Sequence, residues 1–271
     1  MRGTSAASLE AVRVGFEASL RAAGEQSVVL ADQLYAVVDA LLSSASLRRA
    51  LSDPSRAAQD KAALVRQLLE GKAEPAVVDV MVDFAGARWS DDDDLVDGVE
   101  EFAAHAVLAA AEARGVLPEV EDELFRIDRM LIGQREVRRA LVDRTASREA
   151  RATLARTLLE GKAQPETVQL VARGAYEPRG RTMSAMLGRM GRLAARRRHL
   201  LVATVTAAAP LSPAQAERLE AMLEKTYGRP VRLAVAVDPQ VLGGVRVKIG
   251  AQVVDATVEG RLDDVRRKLA G

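Results

Sequence analysis

Residues 30–75 recur as residues 120–165 at a constant offset of 90, with no gap. LRRALSD at 47–53 faces VRRALVD at 137–143, and LLEGKAEP at 68–75 faces LLEGKAQP at 158–165. Across residues 47–75, fifteen of twenty-nine positions are identical. Upstream the match is one of character: LADQLYAVVDALL at 30–42 against VEDELFRIDRMLI at 120–132. This constrains the fold strongly, because any architecture for the first stretch must serve the second. Two copies are too few for a solenoid, which needs three or more repeats to bury a continuous core. They point to a duplicated helical domain.

Each copy reads as helices. In the first, Leu30, Leu34, Val37, Val38, Leu41 and Leu42 form an apolar stripe at helical spacing. A break at 43–46 leads into a short helical piece that ends at Asp53-Pro54. Ser55 is expected to cap the next helix, which turns Leu64, Leu68 and Leu69 inward and stops at Gly71. Pro75 then opens a helix with Val77, Val78, Met81 and Phe84 on one side. Ahead of this copy, Val12, Phe16 and Leu20 follow i, i+4, i+8 spacing. After it, the acidic run 91–94 suits the positive end of a helix running toward Arg114 and stopping near 115–118. Beyond the second copy, Met183, Met186, Leu187, Met190 and Leu193 make another apolar face, with Arg189, Arg192 and Arg196 nearby at helical spacing.

The pattern changes at Leu200. Residues 200–207 alternate and are β-branched, hence a strand. Ser212-Pro213-Ala214-Gln215 is a capping box with proline at N1, and its helix presents Leu219, Met222 and Leu223 before Gly228. Residues 231–237 read as a second strand. Residues 243–249 and 252–255 read as a hairpin turning at Gly250-Ala251. A last helix places Val258, Leu262, Val265 and Leu269 on one face. The fold class is mainly α: a duplicated N-terminal helical-bundle domain over 1–115 and 116–199, then a small α+β module over 200–271.

Cysteine is absent, which excludes disulfides and thiolate metal sites, and His105 and His199 are the only histidines. Aromatics are 3% of a chain that is 48% hydrophobic, in keeping with an alanine- and leucine-rich helical core. No signal-like segment or apolar run of membrane-spanning length is visible, so the expectation is a soluble protein of the cytosolic side. Gly71-Lys72 and Gly161-Lys162 lack the other elements of a phosphate loop and read as helix ends. Gly243-Gly244 and Gly250 are not followed directly by a helix and read as turns, although a tight turn also lets a partner approach. The run 91–94 has no calcium-loop spacing and reads as a solvated helix start. Trp89 reads as a packing residue at a helix end.

Charge is uneven. Residues 91–128 carry thirteen acidic residues against two arginines, whereas 173–200 carry eight arginines against Glu177. The basic run could meet phosphates, nucleic acid or anionic lipid, but no aromatics are interleaved to stack bases. The competing reading is a solvated basic helix end, or an ion-pairing surface for an acidic helix.

Asp238-Pro239, Leu242-Gly243-Gly244-Val245, Val247-Lys248-Ile249-Gly250, Val254-Asp255 and Val258-Glu259-Gly260-Arg261-Leu262 form one ordered motif. With it, the C-terminal stretch resembles the delta subunit family of bacterial F-type ATP synthase, the counterpart of the mitochondrial oligomycin-sensitivity-conferring protein. The ordinary member is about 90 residues shorter, the same length as the repeat offset. The alanine–arginine bias resembles the long actinobacterial form. The resemblance implies a non-catalytic peripheral-stalk role with no cofactor or metal. The helical domain would hold N-terminal helices of the alpha subunits, and the C-terminal module would meet the b-subunit stalk. It also implies a peripheral position at the cytoplasmic face of the cell membrane, associated only through the complex, with no nucleic acid expected. The alternative is a basic helical nucleic-acid-associated protein. By position, the head-binding groove would use Val12, Phe16, Leu20, Val77, Met81 and Phe84, which read equally as ordinary core. The motif residues Asp238, Pro239, Gly243, Gly244, Gly250, Asp255, Gly260, Arg261 and Leu262 would fix the fold. The face of Arg189, Arg192 and Arg196 would meet acidic stalk surface.

Overall fold

The computed structural model describes residues 3–198, 201–209, 211–228, 231–237, 244–249 and 252–255. The chain divides into two compact units, Met1–Arg198 and His199–Gly271. Among the described residues no single helix is long and apolar enough to cross a membrane.

The first unit is helical throughout. It begins with α1 (Gly3–Ala23), a 3-10 turn, α2 (Ser27–Ser43), α3 (Ala45–Ser52), α4 (Ala58–Leu69), α5 (Pro75–Gly86) and α6 (Asp92–Ala113). It continues with α7 (Leu117–Gly133), α8 (Arg135–Ala140), α9 (Arg148–Leu159), α10 (Pro165–Tyr176) and α11 (Met183–Arg198). The bounds of α2, α4 and α5 return 90 residues later in α7, α9 and α10. Small details return as well. Asp53 accepts from the Ser55 N–H and hydroxyl at 2.8 and 2.6 Å, and Asp143 does the same for Thr145 at 2.9 Å each. Gly71 and Gly161 sit at φ of +72° and +65°, where a side chain would be strained, and end their helices. Lys72 and Lys162 each donate to the carbonyl four residues back. The Glu74 and Gln164 N–H groups donate to Gln33 and Glu123.

The offset also relates α1 to α6 and α6 to α11. Helix α6 is thus sixth in the first set and first in the second, so the sets share a helix. It packs against α1, α2 and α3 on one side and α7, α10 and α11 on the other. Its composition permits this: Ala103, Ala104, Ala106, Ala109, Ala110 and Ala111 let neighbouring backbones approach closely, and all are buried. Over residues 102–111 the helix is buried all round, and there it is apolar nearly all round. Gly98 has the same use, since a Cβ there would lie 2.7 Å from Phe84 Cε1.

Two local expectations are corrected. Ser55 does not cap α4, whose N-cap is Ala57 without a side-chain bond; Ser55 is held by Asp53 in a turn instead. The face α4 buries is that of Lys61 and Val65, while Leu64 and Leu69 are partly buried and Leu68 is exposed. The buried stripe lies beside the most apolar one, and the long stem of Lys61 fills it. Burial pushes the Lys61 ammonium below its ordinary pKa. The equivalent Arg151 answers the same burial with bonds to the carbonyls of Asp143, Ala146, Ala175 and Tyr176 at 2.8–2.9 Å. The expected Met183 to Leu193 face is buried as read.

The second unit holds β1 (Leu201–Ala207), α12 (Pro213–Tyr227), β2 (Val231–Val237), β3 (Val245–Ile249) and β4 (Gln252–Asp255). Strand order is β2-β1-β3-β4, with β1 parallel to β2 and the other pairs antiparallel. The capping box at Ser212 and Gln215 is formed, and Gly228 closes α12 in the left-handed region. Val205, Leu223, Val231 and Val247 make the core, with Leu219 packed against it. Met222, expected inward, is exposed because Leu223 and Leu219 take the covered face. The Gly250 turn and the last helix, 258–269, lie outside the described residues.

Candidate partner-binding surfaces

Val12, Phe16, Leu20, Val77, Met81 and Phe84 come together, but as core, each 6% exposed or less. Phe102 of α6 stacks on Phe16 at 5.3 Å and meets Phe84 edge-on at 4.8 Å. Phe84 also stacks on Trp89, whose indole N–H donates to the Phe84 carbonyl. The space between α1 and α5 is thus filled from behind by α6. What stays open is a groove of about 740 Å³ on the outer side, between α1, α4 and α5. Small residues floor it: Ala11, Ala58, Ala62 and Gly86, with Val12 and Val82. Arg66 and Asp83 mark its edges. Burial, then the nearby Asp79 carboxylate, raises the Asp83 pKa above its ordinary value. Sequence reasoning passed over this floor because alanine reads as a helix former rather than as a contact.

The second set does not repeat the groove. At the positions of Gly86 and Ala87 stand Tyr176 and Glu177, and at that of Ala58 stands Arg148. Arg148 pairs with Glu177 at 3.1 Å and lies 6.0 Å from the Tyr176 ring centre. At the position of Asp83 stands Arg173, which reaches α2 of the first set. It donates to both Asp39 carboxylate oxygens at 2.6 and 2.9 Å and lies over the Tyr35 ring at 4.7 Å. Gln169 adds a 2.6 Å bond to Asp32. Tyr35 is buried by this contact, and burial pushes its phenol pKa up. The two sets therefore pack on each other through α2 and α10 as well as through α6.

The basic face is corrected in part. Arg189 is not free for an outside partner. It pairs with Glu101 at 3.0 Å and Glu100 at 3.6 Å and donates to the Asp97 carbonyl. Arg196 is 60% exposed and 3.9 Å from Glu101. Arg192 is exposed, with no ion pair among the described residues. The sequence did not single out Arg179 and Arg181, yet both bind the same acidic side of α6 through Asp97 and Glu100. Arg197, 3% exposed, pairs with Glu17 at 3.1 Å and Glu112 at 2.7 Å; Arg198 pairs with Glu121 at 2.6 Å. Much of the basic stretch thus serves the acidic one within the chain, which leaves less cationic surface than a nucleic-acid reading needs.

The acidic run is likewise a helix start. Asp91 caps α6 by accepting from the Asp93 N–H, Asp92 pairs with Arg48 at 3.3 Å, and Asp94 accepts from Ser5 at 2.7 Å. Of the C-terminal motif, Gly244 has φ +82°, which explains glycine there, and Asp255 ends β4 opposite Arg246. Asp238, Pro239, Gly243, Gly250, Gly260, Arg261 and Leu262 lie outside the described residues.

Comparison with known proteins adds the following. The model of the ATP synthase delta (OSCP) subunit family matches residues 101–269. The match therefore starts within α6 and runs over the second set and the C-terminal unit. The ATP synthase subunit delta of Beutenbergia cavernae is 52% identical, over 100% of both chains. That of Kineococcus radiotolerans is 45% identical over 99% of this chain and 98% of its own. That of Streptomyces griseus is 42% identical over 100% of both.

Proposed function

The chain belongs to the ATP synthase delta (OSCP) subunit family, and from that membership we propose how it works: as a static joint in the peripheral stalk, holding the catalytic head against rotor torque. Full-length identity of 52% to an ATP synthase subunit delta carries this reading. The role is mechanical, and no chemistry is assigned to any residue. It sits at the cytoplasmic face of the membrane, attached through the complex. Its partners are the N-terminal helices of the alpha subunits and the b-type stalk helices.

The head contact belongs to the first helical set. In support, the groove between α1, α4 and α5 is open there and floored by small residues, so large apolar side chains of a docking helix fit. The same positions in the second set carry Arg148, Tyr176 and Glu177, which bond to one another. The unit over 199–271 takes the stalk. A joint under load needs slow dissociation, which comes from buried anchors rather than rim charges.

The tagged full-length chain, expressed in its own host, should retain both alpha and b-type subunits; loss of both overturns the stalk reading. Ala62→Trp fills the groove floor and leaves the sequence of residues 199–271 unchanged. It should release the alpha subunits and keep the b-type subunit. Equal retention of alpha subunits by the variant overturns the groove assignment.

A further inference from the structure

The helical repeat itself shows which surface is left without a cover. In the first set, the outer face of α2 carries Tyr35, Asp39 and Leu42. The second set covers it: Tyr35 is 7% exposed, Leu42 packs against the core, and Arg173 grips Asp39. Ninety residues on, the same face of α7 carries Phe125, Arg129 and Ile132. No third set follows to cover it. Phe125 is 62% and Ile132 is 61% exposed. The apolar cleft of about 460 Å³ between α7, α8 and α9 is separate from this face: it opens on the other flank of α7, beside Arg126 and Met130. Single exposed apolar side chains are ordinary, but two large ones aligned on a helix face whose counterpart is covered mark an interaction site.

The charges identify the occupant. Where the covered face has Asp39, meeting an arginine of the helix laid on it, the uncovered face has Arg129. The sign is reversed at the central position, so the missing helix presents a carboxylate there. Arg129 has only the Phe125 ring beside it, at 5.8 Å, and neither it nor Arg135 has a carboxylate in ion-pair range among the described residues. Asp122, at the position of Asp32, is already paired with Arg126 at 2.8 Å, so it offers little to a cationic partner. Tyr35 has become Phe125, which brings no hydroxyl to satisfy under a cover.

We propose that the outer face of α7, with Phe125 and Ile132 as apolar anchors and Arg129 as the central charge, is a second docking surface that takes an acidic amphipathic helix of another ATP synthase subunit. The helix engages α7 through its side chains, as α10 reaches α2 through Arg173 and Gln169. This rests on the reading of the chain as a stalk subunit. It gives the second helical set a task distinct from the head-binding groove, which that set has closed.

The absence of cysteine makes the test direct. Phe125→Cys and Ile132→Cys are made singly in the full chain, with Thr153→Cys on α9 as an exposed control. Maleimide labelling is followed in the isolated subunit and in the purified complex. The expected result is fast labelling of all three in the isolated subunit, and protection of the first two by roughly tenfold or more in the complex. Adding Arg129→Glu should remove that protection. Equal labelling of Phe125→Cys in both states overturns the proposal. So does protection that survives Arg129→Glu, because the partner is then not acidic. Protection in the isolated subunit that grows with its concentration would identify a second copy of this chain as the occupant and also overturn it. Amide exchange of α7 in the wild-type protein, isolated and assembled, gives the same comparison without substitution. Failure of the chain to purify with other ATP synthase subunits would instead refute the stalk reading.

Discussion

Arg173→Met tests the packing of the two helical sets on each other. The guanidinium makes two bonds to Asp39 at 2.6 and 2.9 Å and lies over Tyr35 at 4.7 Å and Tyr176 at 5.1 Å. Its side chain is 12% exposed and that of Asp39 is 32% exposed. Breaking a fully buried pair costs about 3–5 kcal/mol, and an exposed one about 0–1. Here Asp39 can recover part of its hydration once the arginine is gone, which lowers the figure. Loss of the cation–π contacts adds about 0.5–1 kcal/mol, while methionine keeps the aliphatic packing. The expected loss is about 2–3 kcal/mol, which in a unit of this size lowers Tm by roughly 4–12 °C. Urea unfolding followed through Trp89, the one tryptophan, reads it from within the first set. A double-mutant cycle with Asp39→Ala should give a coupling of about 1.5 kcal/mol, and the exchanged pair Asp39→Arg with Arg173→Asp should restore part of it. A loss under about 0.5 kcal/mol with no coupling would show that the sets do not depend on this joint.

Further expectations follow from the same geometry. Gly98→Ala puts a Cβ 2.7 Å from Phe84 Cε1 and 3.1 Å from Leu9 Cδ1; it should destabilise by about 1–3 kcal/mol, and an unchanged Tm would contradict that close approach. Asp83 has a folded pKa raised by burial and by Asp79, so its charged form opposes folding above that pKa. Asp83→Asn should therefore raise Tm at pH 7, and the gain should vanish as pH falls below the unfolded carboxyl value of about 4; a gain that persists in acid contradicts the account. Ser212→Ala removes the capping box of α12 and should cost about 1 kcal/mol in unfolding of the second unit. Retention of full stability there would mean the cap is dispensable.

Much of the helical plan was legible because helix signals are local. Pro75 and Pro165 open their helices, Gly71 and Gly161 end theirs, and Ser212 caps as its spacing indicates. Each depends only on neighbours within one turn. Ser55 was lost as a cap to a competing turn with Asp53, whereas the misreadings at Leu68 and Met222 are of one kind. An apolar stripe tells which side of a helix prefers cover, not how far round the cover reaches, and in α4 it reaches Lys61 instead of Leu68. The candidate groove was half legible. The residues singled out lie on α1 and α5, two of the three helices around it, but these large apolar residues face α6, and the open side is lined by alanines that carry no signal of their own.

By itself the sequence determined the repeat, its 90-residue period, the change to an α+β module near residue 200 and the family. All four are properties of order and spacing along the chain. The tertiary structure decided that α6 serves two sets at once, and that its acidic side takes up Arg179, Arg181 and Arg189. It also decided that the groove open in the first set is closed in the second, and that the face covered on α2 is bare on α7. These outcomes depend on which surfaces meet across 80 to 180 residues of chain. Apolar burial and ion pairing act over a few ångströms in space, whatever the separation in sequence.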